Sequence, residues 1–225
     1  CLYNYDLVKR TERGRMLLKN LVAAKVTLLE ATERAIEAAS DTPHPQGIVA
    51  AFRFRSLDAP LTSSGTALGV VCDAVQDPGN LGTLLRSAEA AGAIGVWLTP
   101  GCVDPYSPKV VRAAMGAHFR LPIFSSTWPE IPVELEKLGI PTTNLYATEA
   151  DADTPYDEVD WTSPSALVVS NEAHGLSQEA REAVKSARFI SIPMSGNTES
   201  LNSAIAGSVI LFEAARQRRV HQPKT

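Results

Sequence analysis

The chain is poor in the residues that build metal centres and disulfide frameworks. Its three cysteines, Cys1, Cys72 and Cys102, show no paired spacing. Disulfides and a structural zinc are therefore not expected, and a reducing, cytoplasmic setting is the default. The four histidines, His44, His118, His174 and His221, are scattered without ligand spacing, so no metal is assigned. No stretch approaches the roughly 18 uninterrupted apolar residues of a membrane helix, so no membrane partner is expected. The N-terminus carries no secretory pattern, and it opens on Cys1 rather than Met, which suggests a missing upstream segment. Several nucleotide-binding and catalytic motifs are absent as well. There is no G-x-x-x-x-G-K-[ST] phosphate loop, no G-x-S-x-G elbow, and no G-x-G-x-x-G after a strand. These absences argue against P-loop chemistry, an α/β-hydrolase and a Rossmann cofactor site.

What is present is an alternation of apolar runs and helical stretches. With 225 residues, 44% of them hydrophobic, the chain can form one large α/β domain and a smaller piece. In the first part, residues 2–5, 26–29 and 48–52 read as strands, and 11–23 and 33–39 as helices. Residues 57–66, rich in Ser, Thr, Pro and Gly, read as a linker. From residue 67 the pattern is regular. Residues 68–72 form a continuous apolar run, as a buried parallel strand requires. Asn80 is a candidate cap for a helix reaching residue 91, with Leu81, Leu84, Leu85 and Ala88 as its apolar stripe, Arg86 beside that stripe and Gly92 closing it. Further strands are expected at 95–98, 121–124, 144–147, 166–169 and 189–192. Helices are expected at 107–115, 130–138, 177–185 and 201–219. Strands alternating with helices imply a mostly parallel sheet covered on both faces. Ligands of such sheets sit beyond the C-terminal strand ends.

Net charge is −4, which argues weakly against bulk nucleic-acid binding. Local patches matter more. Acidic residues concentrate between positions 149 and 160, leaving Arg53, Arg55, Lys109 and Arg112 in less acidic surroundings. Arg216, Arg218, Arg219 and Lys224 make a basic tail, which suits a helix C-terminus.

Three polar loops follow apolar strands. They are Asp77-Pro-Gly-Asn-Leu-Gly-Thr-Leu-Leu-Arg86, Ser170-Asn-Glu-Ala-His-Gly-Leu-Ser177 and Ile192-Pro-Met-Ser-Gly-Asn-Thr-Glu-Ser-Leu-Asn202. In this order and at these separations they resemble the SpoU (TrmH-like) RNA ribose 2′-O-methyltransferases of the SPOUT superfamily. The resemblance covers roughly residues 68–216. Residues 1–55, with Ser40-Asp-Thr-Pro-His-Pro-Gln-Gly-Ile-Val-Ala50, resemble the latter half of that family's small RNA substrate-binding domain. The expected organisation is thus a partial substrate-binding domain over 1–56, a linker over 57–66 and a SPOUT catalytic domain over 67–225.

The resemblance implies an α/β knot, a parallel sheet with a C-terminal trefoil knot that departs from the usual avoidance of threaded chains. It implies S-adenosyl-L-methionine as methyl donor and a homodimer with the site near the subunit interface. It also implies an RNA substrate, with rRNA preferred to tRNA. Residue by residue, it assigns catalytic positions to Asn80, Arg86, Glu172, Ser200 and Asn202. It places Thr148, Ser170, Asn171, Gly175, Ile192, Met194 and Leu201 at the cofactor, with Gly175 and Gly196 permitting tight turns. Arg53, Arg55, Lys109 and Arg112 are candidate phosphate contacts. One departure stands out: the family usually has Gly where this chain has Ser170, and a serine fits there if its φ is negative.

The chemistry asks for alignment of an attack on a methyl group and for handling of the ribose hydroxyl's proton. The resemblance gives the Arg86 position a catalytic role, in some members as general base. Because arginine normally stays protonated, Arg86 is expected to grip the target phosphate and stabilise the developing oxyanion, losing its proton only when substrate is bound. Asn80, Ser200 and Asn202 also suit plain helix capping, and Glu172 suits ordering of its own loop. Two other functions fit the same fold, a catalytically inactive RNA-binding or assembly factor and a base-modifying SPOUT enzyme.

Overall fold

The computed structural model describes residues 1–42, 44–53, 57, 67–171, 174–184, 188–196, 198 and 200–221. The chain divides into two compact units, Cys1–Arg55 and Ser56–Thr225. Most of the expected linker over 57–66 lies outside the described residues.

In the first unit, β1 (Leu2–Tyr3), β2 (Leu29–Glu30) and β3 (Ile48–Val49) form a small sheet in the order β2-β1-β3. Around it lie α1 (Tyr5–Val8), α2 (Glu12–Ala23) and α3 (Glu33–Ala39). The strands are shorter than the apolar runs predict, for local reasons. Asn4 caps α1 by accepting the Leu7 N–H at 3.0 Å, which takes Tyr5 out of β1. Lys25 has φ +55°, which turns the chain after α2 and leaves Val26 outside β2. Thr11 caps α2 by accepting the Gly14 N–H, so the helix begins one residue later than the expected 11.

The second unit runs β4 (Leu68–Asp73), α4 (Pro78–Ala90), β5 (Gly95–Leu98), α5 (Pro108–Ala113), β6 (Ile123–Ser125) and α6 (Ile131–Lys137). It continues with β7 (Leu145–Thr148), β8 (Thr154–Pro155), β9 (Ser165–Ser170), α7 (Gln178–Ala183), β10 (Phe189–Ser191) and α8 (Ser203–His221). The seven strands are parallel, in the order β6-β5-β4-β9-β7-β10-β8. Every residue of β4 is buried, because both faces are covered. On one face Leu68, Val70 and Cys72 pack with the expected stripe of α4 and with Ile210, Leu211 and Ala214 of α8. On the other, Val71 and Val168 pack with Ile131, Leu135 and Ala180.

Three local readings need correction. The cap of α4 is Asp77, whose carboxylate accepts the Asn80 N–H at 2.8 Å; Asn80 lies inside the helix. Pro78 occupies the first turn, where its missing N–H costs nothing. The two-residue edge strand β8, within the acidic segment, carries too short a pattern to be read from sequence. The basic tail is divided: Arg218 is only 8% exposed, while Arg219 is exposed and Lys224 lies outside the described residues. The Arg218 guanidinium donates to the carbonyls of Trp161 (2.7 Å), Ala67 (3.1 Å) and Ser163 (3.2 Å) and to Ser165 Oγ (3.1 Å). Burial pulls its pKa down to about 10. Close packing explains Gly207: a Cβ there would sit 2.7 Å from Leu84 Cδ2 and 3.0 Å from Val169 Cγ2, so α8 rests directly on α4 and β9.

Candidate active site

The sheet reverses its winding between β4 and β9, with β5 and β6 on one side and β7, β10 and β8 on the other. Such a switch point opens a crevice at the C-terminal strand ends. The loops bordering it are fastened together. The Asn171 N–H donates to the Asp73 carbonyl at 3.1 Å, and Asn171 Nδ2 donates to the Ala74 carbonyl at 3.0 Å. Asn171 Oδ1 accepts the His174 N–H at 3.3 Å. The Asp73 carboxylate, 2% exposed, accepts from Trp128 Nε1 (2.9 Å), the Ser177 N–H (2.7 Å) and Ser177 Oγ (3.0 Å). An acid closing a buried strand therefore holds the second motif loop in place.

Beyond the ends of β9, β7 and β10 lies a cleft of about 290 Å³. All seven positions expected at the cofactor border it: Thr148 and Ser170 at strand ends, Asn171 and Gly175 in the second loop, and Ile192, Met194 and Leu201 in the third. Ser170 is the last residue of β9, opposite Asp73, and is not among the residues with positive φ; a serine there carries no backbone strain. Gly175 has φ +66° and closes its loop by donating to the Asn171 carbonyl at 2.9 Å. Gly196 differs from expectation. Its φ is not positive and an added Cβ would meet nothing within 4 Å, so no tight turn requires glycine there. Asn171 borders the cleft, but its side-chain amide is committed to the loop frame.

Of the expected catalytic positions, Ser200 borders the cleft. Asn202 caps α8, its Oδ1 accepting the N–H groups of Ala204 (3.1 Å) and Ile205 (3.2 Å). Its Nδ2 donates to Asn80 Oδ1 at 3.0 Å, joining the N-termini of α8 and α4. Capping and site assembly thus coincide at Asn202. Arg86 is exposed on α4, six residues beyond Asn80, and does not border the cleft of its own chain. Lys109 and Arg112 are exposed one turn apart on α5, and Arg53 is exposed in the first unit. Glu172 and Arg55 lie outside the described residues.

Sequence reasoning missed Asp73 as an organiser and missed two charged groups on the cleft wall, Glu149 and Arg181. An acid ending an otherwise apolar strand was a usable signal for Asp73. Nothing in the local pattern marks Arg181. No cluster of three or more His, Cys, Asp or Glu residues able to hold a metal ion occurs among the described residues. Nor is any described helix long and apolar enough to cross a membrane.

The chain is similar to known proteins. The mitochondrial rRNA methyltransferase 3 of mouse is 34% identical over 87% of this chain, which spans only 58% of the mouse protein. The 23S rRNA (guanosine(2553)-2′-O)-methyltransferase of Bacillus subtilis is 35% identical over 80% of this chain and 69% of its own length. The AdoMet-bound crystal structure of an rRNA methyltransferase from Sinorhizobium meliloti superposes with a TM-score of 0.77 at 31% identity, covering 99% of this chain and 80% of the other. The model of the SpoU rRNA Methylase family matches residues 67–212, which contain the cleft and all three motif loops, and the chain belongs to that family.

Proposed function

We propose that this chain is an S-adenosylmethionine-dependent RNA methyltransferase acting on a ribose 2′-hydroxyl, of rRNA in preference to tRNA. The observation that carries the proposal is the convergence of the three motif loops at one end of a parallel sheet. The second and third loops line one cleft, and the Asn80–Asn202 bond ties the first beside it. The names of these three relatives, each an rRNA methyltransferase and one of them 2′-O-specific, support the substrate class.

The residues present fit the cofactor. Ile192, Met194 and Leu201 offer an apolar wall for a purine, and Thr148 and Ser170 offer hydroxyls at strand ends. When bound, the cofactor supplies an electrophilic methyl group on sulfur. The chain's own task is then orientation and charge management. Asn80 and Asn202 fix the two helix ends against each other. Ser200 presents a hydroxyl to the cleft. Arg86, exposed and with no hydrogen bond or ion pair among the described residues, is available for a target phosphate and for the oxygen that loses its proton. Lys109, Arg112 and Arg53 are assigned to RNA phosphates.

A homodimer through α8 belongs to the same proposal. Ile205, Val209 and Phe212 stand in one i, i+4, i+7 row and are 49%, 37% and 52% exposed. The neighbouring Ser208 touches Ser87, next to Arg86, at 2.8 Å. Arg86 does not border its own cleft, so packing of two copies along this face offers a way for it to serve its partner's. The C-terminal knot is likewise proposed. The connection 149–153 straddles β10, with Ile190 paired to Thr148 on one side and Thr154 on the other. A cytoplasmic setting, where Cys1, Cys72 and Cys102 stay reduced, completes the reading.

The test is calorimetry with S-adenosylmethionine, followed by transfer of a labelled methyl group to rRNA and digestion for 2′-O-methylated nucleosides. Arg86→Ala should lower transfer by about a hundredfold or more while leaving cofactor binding and melting temperature intact. Transfer at the wild-type rate would remove Arg86 from the mechanism. Cofactor binding with no transfer to any RNA would favour the inactive RNA-binding factor.

A further inference from the structure

Two charged side chains border the cleft among the described residues, Glu149 and Arg181, and neither belongs to a motif loop. They form an ion pair, Arg181 Nη2 to Glu149 Oε1, at 2.7 Å. The Arg181 guanidinium also lies over the Phe189 ring, 5.8 Å from its centroid. The backbone of Glu149 is pinned too, its N–H donating to the Ile190 carbonyl at 2.9 Å. Glu149 is therefore held to β10 through its main chain and to α7 through its carboxylate. Both side chains keep substantial solvent exposure, 48% for Arg181 and 32% for Glu149, and an ion pair so exposed adds little to folding. Its definite effect is to orient one carboxylate at the wall of a ligand-sized cleft.

The chemistry of that carboxylate restricts what it recognises. Arg181 neutralises its charge, so a cation gains little by approaching. An anion would have to take Arg181 away from Glu149. Oε1 faces Arg181, and Oε2 remains as an acceptor. An uncharged group with O–H donors fits best, and a vicinal diol presents two of them to one carboxylate. The position agrees. Glu149 follows Thr148 at the end of β7, its N–H on the Ile190 carbonyl, and borders the same cleft as Ile192 and Met194. A purine on that wall carries its sugar on the adjoining atom.

We infer that Glu149 binds the ribose hydroxyls of the cofactor's adenosine, and that Arg181 is a positioning residue that aims it. The inference rests on S-adenosylmethionine occupying this cleft. The probes are 5′-methylthioadenosine, which lacks the amino-acid group, and its 2′-deoxy and 3′-deoxy forms, with affinities measured by calorimetry. Wild type should bind the riboside about tenfold or more tightly than at least one deoxy form, as expected for a hydrogen bond to a charged acceptor. Glu149→Met should bring that ratio to within about twofold of one. Arg181→Met should lower the ratio, and Arg181→Lys should restore it, which a merely structural role would not do. A ratio near one in wild type, or an unchanged ratio in Glu149→Met at an unchanged melting temperature, overturns the inference. If S-adenosylmethionine binds wild type in either of those cases, only the diol contact falls. If neither S-adenosylmethionine nor 5′-methylthioadenosine binds wild type, the cofactor reading falls and takes this inference with it.

Discussion

Replacing Arg218 by methionine should lower the melting temperature of the second unit by roughly 5–15 °C. The side chain lies inside, between α8 and the segment that leads into β9, and it meets no carboxylate within ion-pair distance among the described residues. Its contacts are the carbonyls of Ala67, Trp161 and Ser163 and the Ser165 hydroxyl. Methionine fills similar volume but donates nothing, so these acceptors lose a charged donor. Such bonds contribute about 1.5–3 kcal/mol each when judged singly. The sum is not the net effect, because removing a buried cation also relieves its desolvation. That relief is real here, since burial already draws the guanidinium down to about 10. A net loss of about 2–4 kcal/mol remains, and about 2–4 °C per kcal/mol converts it into the stated shift. Arg218→Lys should rescue little, because one ammonium cannot reproduce a planar fork reaching several carbonyls. Scanning calorimetry of the full chain reads the outcome. RNA binding adds a control: the salt slope should be unchanged in Arg218→Met and, if the tail touches RNA, reduced in a variant of the exposed Arg219. A melting temperature within about 2 °C of wild type in Arg218→Met would refute the reasoning.

Two further outcomes follow from named contacts. Phe212→Glu should convert the proposed dimer to monomer by light scattering. Losing one buried phenyl from each copy removes about 3–6 kcal/mol, or some two to four orders of magnitude in affinity; a persistent dimer would move the interface off this face of α8. The Asp160 carboxylate is held below its ordinary value of 3.8 chiefly by the Thr162 hydroxyl, then by the Thr162 N–H and the Ser163 hydroxyl. The native state thus binds this proton less readily than the unfolded chain does. Its stabilisation is present above that value and lost as pH falls below it. Asp160→Asn should flatten the acid side of a plot of melting temperature against pH and leave the alkaline side alone. Parallel curves for the two proteins would show that Asp160 does not set acid stability.

Periodicity and turn chemistry made the frame of the second unit legible, because both act over a few residues. The stripe of Leu81, Leu84, Leu85 and Ala88 requires a buried helix face, and the apolar run before Asp73 requires a strand covered on both sides. The sequence also carries a signal for the cap of α4 that Asn80 obscures: proline favours the first turn, so Pro78 points to Asp77. Polar contacts over long separations were not legible. Asp73 meets Trp128 and Ser177 at separations of 55 and 104 residues, and Arg218 meets Ala67 at 151. Glu149 and Arg181, 32 apart, meet because β7 and the start of α7 end beside one cleft. No local rule selects such partners; only the strand order does.

The motif residues divide by how many of their polar atoms the fold already uses. Asn202 places its oxygen on the first N–H groups of α8 and its amide nitrogen on Asn80. Asn171 is committed in the same way to the loops after β4 and β9. A side chain held at both ends is well placed to fix geometry and poorly placed to follow a reacting atom. Ser200 and Arg86 are the opposite case. Both are exposed, and neither makes a hydrogen bond among the described residues. The exposed pair can move with a substrate and answer a changing charge, whereas the committed amides hold two helix ends and two loops at fixed separation. The proposed catalysis therefore depends on the contrast between them. In that proposal a frame of Asn80, Asn171, Asn202 and Asp73 would set the position of the methyl donor, and the exposed groups would meet the ribose.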